Sequence, residues 1–254
     1  YRAVAEAFAN VFIRDGGEVR YNCECIGLRE ESDRVVVETT AGSIEASCVV
    51  ACAGIQADTI ARAAGLELDF RIVPFRGDYF RLPDSRNALI KHLIYPVPDP
   101  DLPFLGVHLT RMIGGFITVG PNAALAFSRE KYGKLDFSAR DVADLASYAG
   151  VWKMLWKYRS SAVAELASAV SRHRYLELCR KYCPSLTLDD LLPFRSGIRA
   201  QAVSPDGALI HDFLIRSTAR TVHICNAPSP AATAALPIGR HVVQTLCEHR
   251  AIQA

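Results

Sequence analysis

The sequence predicts a mixed α/β chain in which an antiparallel-sheet domain is inserted into a second domain of β/α layout. Three observations carry this. The short apolar run Cys48-Val49-Val50-Ala51-Cys52 has the character of a strand buried on both faces of a parallel sheet, and it passes through Ala53-Gly54 into a helical segment. From Phe70 the texture changes to longer, aromatic-rich strands separated by proline-rich loops. Near the C-terminus the first texture returns, with the apolar run Thr221 to Cys225 leading into a last helix. A β/α layout interrupted by antiparallel strands and helices and then resumed is what an insertion leaves, with 1–68 and 218–254 as the host and 69–217 as the insert.

The elements follow in order. Val4, Phe8, Val11 and Phe12 at helical spacing before Asp15-Gly16-Gly17 predict a helix over 2–15. Short strands are expected at Glu18 to Tyr21, Cys25 to Glu30, Arg34 to Thr40 and Ser43 to Ala46, then the apolar run, then a helix from Gln56 to Ala64. The insert is read as strands Ile72 to Leu82, Leu93 to Tyr95, Phe104 to Arg111 and Phe116 to Gly120. Two or three helices follow between Ser138 and Cys183-Pro184, capped by Ser138 or Asp141. Strands Phe194 to Val203 and Ala208 to Ile215 flank the turn Ser204-Pro205-Asp206-Gly207, and the last helix covers Pro230 to His249.

Composition narrows the function classes. With 254 residues, 50% apolar and 22% charged, the chain is globular. No apolar run approaches the roughly 20 residues of a spanning helix, since Pro228 to Ile238 is short and broken by proline. A net charge of +2 without a basic block gives no footprint for nucleic acid. The eight cysteines are sparse, and Cys48, Cys52 and Cys225 lie in apolar contexts where thiols pack as small hydrophobes, which fits a reducing compartment. Cys179 and Cys183 lack the second pair that zinc spacing demands, so no metal is expected. Starting at Tyr1, inside a helical pattern, the sequence reads as a piece of a longer protein. It contains no internal repeat, G-x-G-x-x-G, P-loop, H-E-x-x-H or G-x-S-x-G.

Several segments together carry a resemblance: PFRGDYFRL (74–82), LIYPVPDPDLPFLGVHLTR (93–111), TVGPNAALAF (118–127), RAQAVSPDG (199–207) and CNAPSPAATAALPIG (225–239). In this order they are similar to the FAD-dependent L-2-hydroxyglutarate oxidases and dehydrogenases of the D-amino-acid-oxidase-like flavoprotein superfamily. The resemblance implies a Rossmann-like FAD-binding domain, lacking here its N-terminal Gly-rich segment, around an antiparallel substrate domain. It implies oxidation of a small dicarboxylate, L-2-hydroxyglutarate, to 2-oxoglutarate, with quinone or oxygen as electron acceptor. A cytoplasmic place follows, with peripheral association at the inner membrane compatible with a quinone acceptor. A related flavin oxidase of another hydroxy or amino acid is the rival within the enzyme class, and a non-catalytic fragment the rival outside it. Because pyrophosphate is anchored on the Gly-rich turn, these 254 residues alone are expected to hold FAD weakly and to be inactive.

The candidate residues divide by chemistry. Pro228, Ser229 and Pro230 lead into Ala231, Ala232 and Thr233, a helix start whose free N–H groups suit negative charge and whose small side chains admit a planar ligand. The resemblance places the flavin ring there, and Ala53 and Gly54 beside the adenosine. Arginine's planar fork suits carboxylates, so Arg199 ranks first for substrate, ahead of Arg76 and Arg111; an arginine in a strand is more often paired with an acid, for Arg76 Asp78. His108 fits the base that removes the hydroxyl proton, because strand alternation puts Gly106, His108 and Thr110 on one small-polar face. A histidine from a preceding segment is the alternative base. Tyr79, Thr110 and Asn226 are further substrate-binding candidates, whereas His223 reads as a buried structural histidine.

Overall fold

The computed structural model describes residues 1–97, 106–228 and 231–253. By its internal contacts the chain divides into two compact units, one made of 1–68 and 211–254, the other of 69–210.

The first unit opens on α1 (Arg2–Arg14). Its helical spacing is as expected, but no residue of it is buried, and Phe8 and Phe12 are 45% and 54% exposed. An antiparallel meander follows, β1 (Cys25–Glu30), β2 (Val35–Thr39) and β3 (Gly42–Ala46), in that spatial order. The strand expected at Glu18 to Tyr21 is absent; Glu18 is instead drawn into a local ion pair with Arg20, and Asn22 turns the chain at φ 53°. Next come β4 (Val49–Ala51) and, after a short turn of helix over Gly54–Gln56, α2 (Ala57–Ala63).

The second unit contains β5 (Arg71–Gly77), β6 (Phe80–Arg81), β7 (His108–Arg111), β8 (Ile117–Gly120) and β9 (Ala124–Leu125), then four helices. These are α3 (Ala139–Ala146), α4 (Ala149–Lys157), α5 (Arg159–Val170) and α6 (Arg172–Arg180). The helical stretch is broken more often than its apolar pattern shows. Ser138 Oγ caps α3 by accepting from Asp141 N–H, and Ser171 Oγ starts α6 by accepting from Arg174 N–H. The unit closes with β10 (Leu192–Pro193) and β11 (Gly197–Val203).

Two sheets result, ordered β10-β6-β8-β7 and β11-β5-β9. The single strand expected over Ile72 to Leu82 is therefore split between them. The break falls at Asp78-Tyr79, where the Asp78 N–H is taken by Asn122 Oδ1 at 2.8 Å instead of by a neighbouring strand. One core packs Leu82, Leu109, Ile117 and Val119 against Tyr175, Leu186 and Leu191; a second joins Val73, Val151, Met154 and Val203. Fully burying side chains of this size contributes about 1.5–3 kcal/mol each, before chain entropy is set against it.

The first unit resumes with β12 (Leu214–Ser217), β13 (Thr221–Asn226) and α7 (Ala235–Gln253), preceded by a tight helical turn over Ala231–Ala234. The strand expected at Ala208 to Ile215 is confined to its end; before it, Ser204 and Gly207 close a hydrogen-bonded turn and Leu209 forms an isolated bridge to Val203. The sheet order is β12-β13-β4, with β13 and β4 parallel. The apolar run 48–52 is thus a parallel strand, but it lies at the edge of this sheet, and Val50 is 39% exposed instead of buried on both faces. Cys225 is buried, whereas Cys52 is exposed. Val242 of α7 packs on Val222 and Ile224. Among the described residues, no helix is long and apolar enough to cross a membrane.

Candidate active site

Within the inserted unit, a cavity of about 200 Å³ is lined by Phe75, Gly77, Tyr79, His108, Pro121, Asn122, Ala123, Gly197, Ile198 and Arg199. Its base is the β5–β11 ladder, in which Gly77 stands opposite Gly197 and Phe75 opposite Arg199. The segment after β8 closes over that ladder because two glycines permit it. A Cβ on Gly77 would lie 2.5 Å from Pro121 Cβ, and one on Gly120, whose φ is +138°, 2.7 Å from the Tyr175 hydroxyl and the Asp78 carbonyl. Substituting Gly77→Ala is therefore expected to push Pro121 and Asn122 off the ladder, at an overpacking cost of about 1–3 kcal/mol. Thermal unfolding of the variant checks it: a Tm within a degree of the parent would show that the wall yields freely.

The alternation read from Gly106 to Thr110 is present. Val107 and Leu109 are buried, and His108 and Thr110 are half-buried. His108 lies flat against Tyr95, with ring centroids 4.3 Å apart and planes inclined at 18°. Burial holds its pKa below the ordinary histidine value, opposed by the Gly106 carbonyl 3.4 Å from Nδ1. A carbonyl can only accept, so this contact needs the proton on Nδ1 and leaves Nε2 bare, the tautomer of a base. Tyr79 shares the cavity; burial raises its pKa, Tyr95 adds to the rise, and the Arg199 charge opposes it.

Of the sequence-derived candidates, Tyr79, His108 and Arg199 come together here, and the other described ones do not line this cavity. Arg76 is buried and paired with Asp78, its Nη2 donating to Oδ2 at 3.1 Å. Arg111 donates from Nη1 to the carbonyls of Asn87 and Ile90, each at 3.1 Å, and so fastens the 87–90 loop. Thr110 faces Thr118 across the β7–β8 ladder. Asn226 belongs to the other unit, where its Nδ2 donates to the Asp212 carbonyl at 2.7 Å.

Asn122 is the residue that sequence reasoning missed. It stands inside the quoted segment 118–127, yet nothing in its spacing singles it out. Its amide orientation is set by Asp78 N–H on Oδ1, and its buried Nδ2 has no hydrogen-bond partner among the described residues.

In the first unit, parallel pairing of His223 with Ala51 sets the carboxyl ends of β13 and β4 side by side. Ala53-Gly54 and Ala227-Pro228 leave the sheet at that shared edge, the place where open α/β sheets take nucleotides. Gly54 has φ +53° with open space where a Cβ would point, and Ala232 and Thr233 are exposed. Small residues and a left-handed glycine at a strand end suit the close approach of a dinucleotide. Ser229 and Pro230 lie outside the described residues. His223 is buried, with Nε2 2.8 Å from Thr221 Oγ1.

The model of the DAO family, FAD dependent oxidoreductase, matches residues 1–245. The chain belongs to that family. L-2-hydroxyglutarate dehydrogenase of Escherichia coli strain K12 is 52% identical over 244 residues, covering 96% of this chain and 58% of that protein. The mitochondrial L-2-hydroxyglutarate dehydrogenase of Homo sapiens is 41% identical over 255 residues, covering 94% of this chain and 55% of that protein. The chain thus spans little more than half the length of these relatives. Dithionite-reduced L-alpha-glycerophosphate oxidase from Mycoplasma pneumoniae, solved with FAD bound, aligns with a TM-score of 0.68 at 20% identity over 94% of this chain and 53% of that one, a likeness of fold.

Proposed function

We propose that the protein oxidises L-2-hydroxyglutarate to 2-oxoglutarate with FAD. The observation that carries this reading is the convergence of a half-buried histidine, a tyrosine and an arginine on one cavity of the inserted unit, in a chain whose curated relatives bear that activity in their names. The unit made of 1–68 and 211–254 would hold the cofactor through Ala53, Gly54 and the segment Pro228, Ser229, Pro230, Ala231, Ala232 and Thr233. When bound, FAD supplies the hydride acceptor. Arg199 receives a substrate carboxylate through paired charge-assisted bonds, Tyr79 orients the substrate, and His108 Nε2 takes the hydroxyl proton as the alcohol becomes a ketone. Quinone or oxygen would re-oxidise the cofactor, in the cytoplasm or peripherally at the inner membrane.

A second reading has one observation in its favour. Arg199 is the one arginine among the described residues lining the cavity, which suits a 2-hydroxy or amino acid with a single carboxylate. One experiment decides between the two. In the FAD-loaded full-length protein, L-2-hydroxyglutarate is expected to bleach the flavin absorbance with a kcat/KM at least a hundredfold above that of L-2-hydroxybutyrate. Equal values would transfer the assignment to the monocarboxylate class, and no bleaching by either would end the reading.

A further inference from the structure

The inserted unit holds a second cavity, of about 240 Å³, that the proposed reaction leaves unused. Its walls are apolar, with Phe75, Leu125, Met154, Leu155 and Tyr158 prominent, and it opens where Phe127 and Leu166 are 50% and 60% exposed. One acid interrupts this lining. Glu165 Oε2 accepts the Ala123 N–H at 2.8 Å, and no ion pair joins Glu165 to a cation among the described residues.

Helix α5 turns this acid inward against its own hydrophobic interest. Val163, Leu166 and Val170 are 67%, 60% and 80% exposed on one side, while Glu165 and Ser168 face the protein. Turning the helix by half a revolution would cover three apolar side chains and return a carboxylate to water, the arrangement that amphipathic helices ordinarily take. Burial raises the Glu165 pKa, and only the Ala123 N–H opposes that rise. An incoming cation would relieve this desolvation, and the neighbouring rings of Phe75, Phe127 and Tyr158 would attract it through their faces.

We propose that this cavity is a second ligand site, which takes a small amphiphilic monocation with its ammonium group on Glu165 and its apolar body against Phe75, Leu155 and Tyr158. An apolar cavity of about 150 Å³ holds a benzene ring, so this one has room for a ring and a short ammonium-bearing arm. It shares Phe75 and Ala123 with the Arg199 cavity, and the two neighbours select opposite charges.

The test needs no turnover, so it stands or falls apart from the proposed reaction. The probe is 2-phenylethylammonium, its uncharged counterpart 2-phenylethanol, and the protein the purified 254-residue chain. Calorimetry gives the affinities. The ammonium is expected to bind saturably at one site, at least tenfold tighter than the alcohol and undisplaced by 2-oxoglutarate. Glu165→Gln keeps an acceptor for Ala123 N–H and should erase the preference, while Ala162→Phe should abolish both bindings by filling the space. Equal affinities in the parent chain, or a preference that survives Glu165→Gln, overturn the proposal. Should that variant fail to fold, the comparison of the two probes on the parent chain still decides.

Discussion

Arg199→Met in the FAD-loaded full-length protein is expected to raise the KM for L-2-hydroxyglutarate by two to three orders of magnitude while flavin stays bound. Arg199 stands on β11 opposite Phe75 and lines the cavity shared with Tyr79 and His108. Methionine preserves much of the stem and removes the fork, so a substrate carboxylate would lose paired charge-assisted bonds and keep its desolvation cost. Truncating one partner of such a pair costs about 2–5 kcal/mol. An effect on KM larger than that on kcat marks a group that binds the ground state and the transition state alike. Unchanged kinetics would remove Arg199 from the substrate site and leave the cavity without an arginine.

His108→Ala should slow the reductive half-reaction by about 10²–10⁴-fold, the usual range for a positioned general base. The pH profile is the sharper readout. Burial keeps the imidazole pKa low, and the base works only when Nε2 is unprotonated. The rate of flavin reduction should therefore be level above pH of about 6.5 and fall as pH drops through the lowered pKa. In the variant that acid limb should vanish. A limb that persists in His108→Ala belongs to another group, and a normal rate would place the base elsewhere.

Much of this site was legible because strands report their facing directly. The alternation through Val107, His108 and Leu109 sorted cavity from core, and Ser138 announced the start of α3. What escaped depends on partners distant in sequence. Nothing near Asp78 shows that Asn122 will capture its N–H and break the strand, and nothing near Arg111 shows that its charge is committed to the 87–90 loop. Arg76 was the instructive case: an acid two residues away on the same face made an internal pair the simpler outcome, and the structure has that pair. Two or three helices were expected where there are four, α3 to α6, because apolar residues recur straight through the breaks and the interruptions fall mainly at serine and tyrosine positions.

The parallel pairing of β4 with β13 joins segments from the two sides of the insert, so β4 leaves the ribosome long before the strand it must hydrogen-bond. In a structureless chain, closing the stretch between Ala51 and Thr221 would be costly, because each doubling of loop length adds about 0.6 kcal/mol. The insert shortens that stretch once it folds: Arg71 faces Val203 across the β5–β11 ladder, and Ile210 N–H bonds the carbonyl of Ala202, so the chain leaves the unit close to where it entered. It follows that the nascent chain has reason to complete the insert first, and that until then β4 waits for its β13 partner.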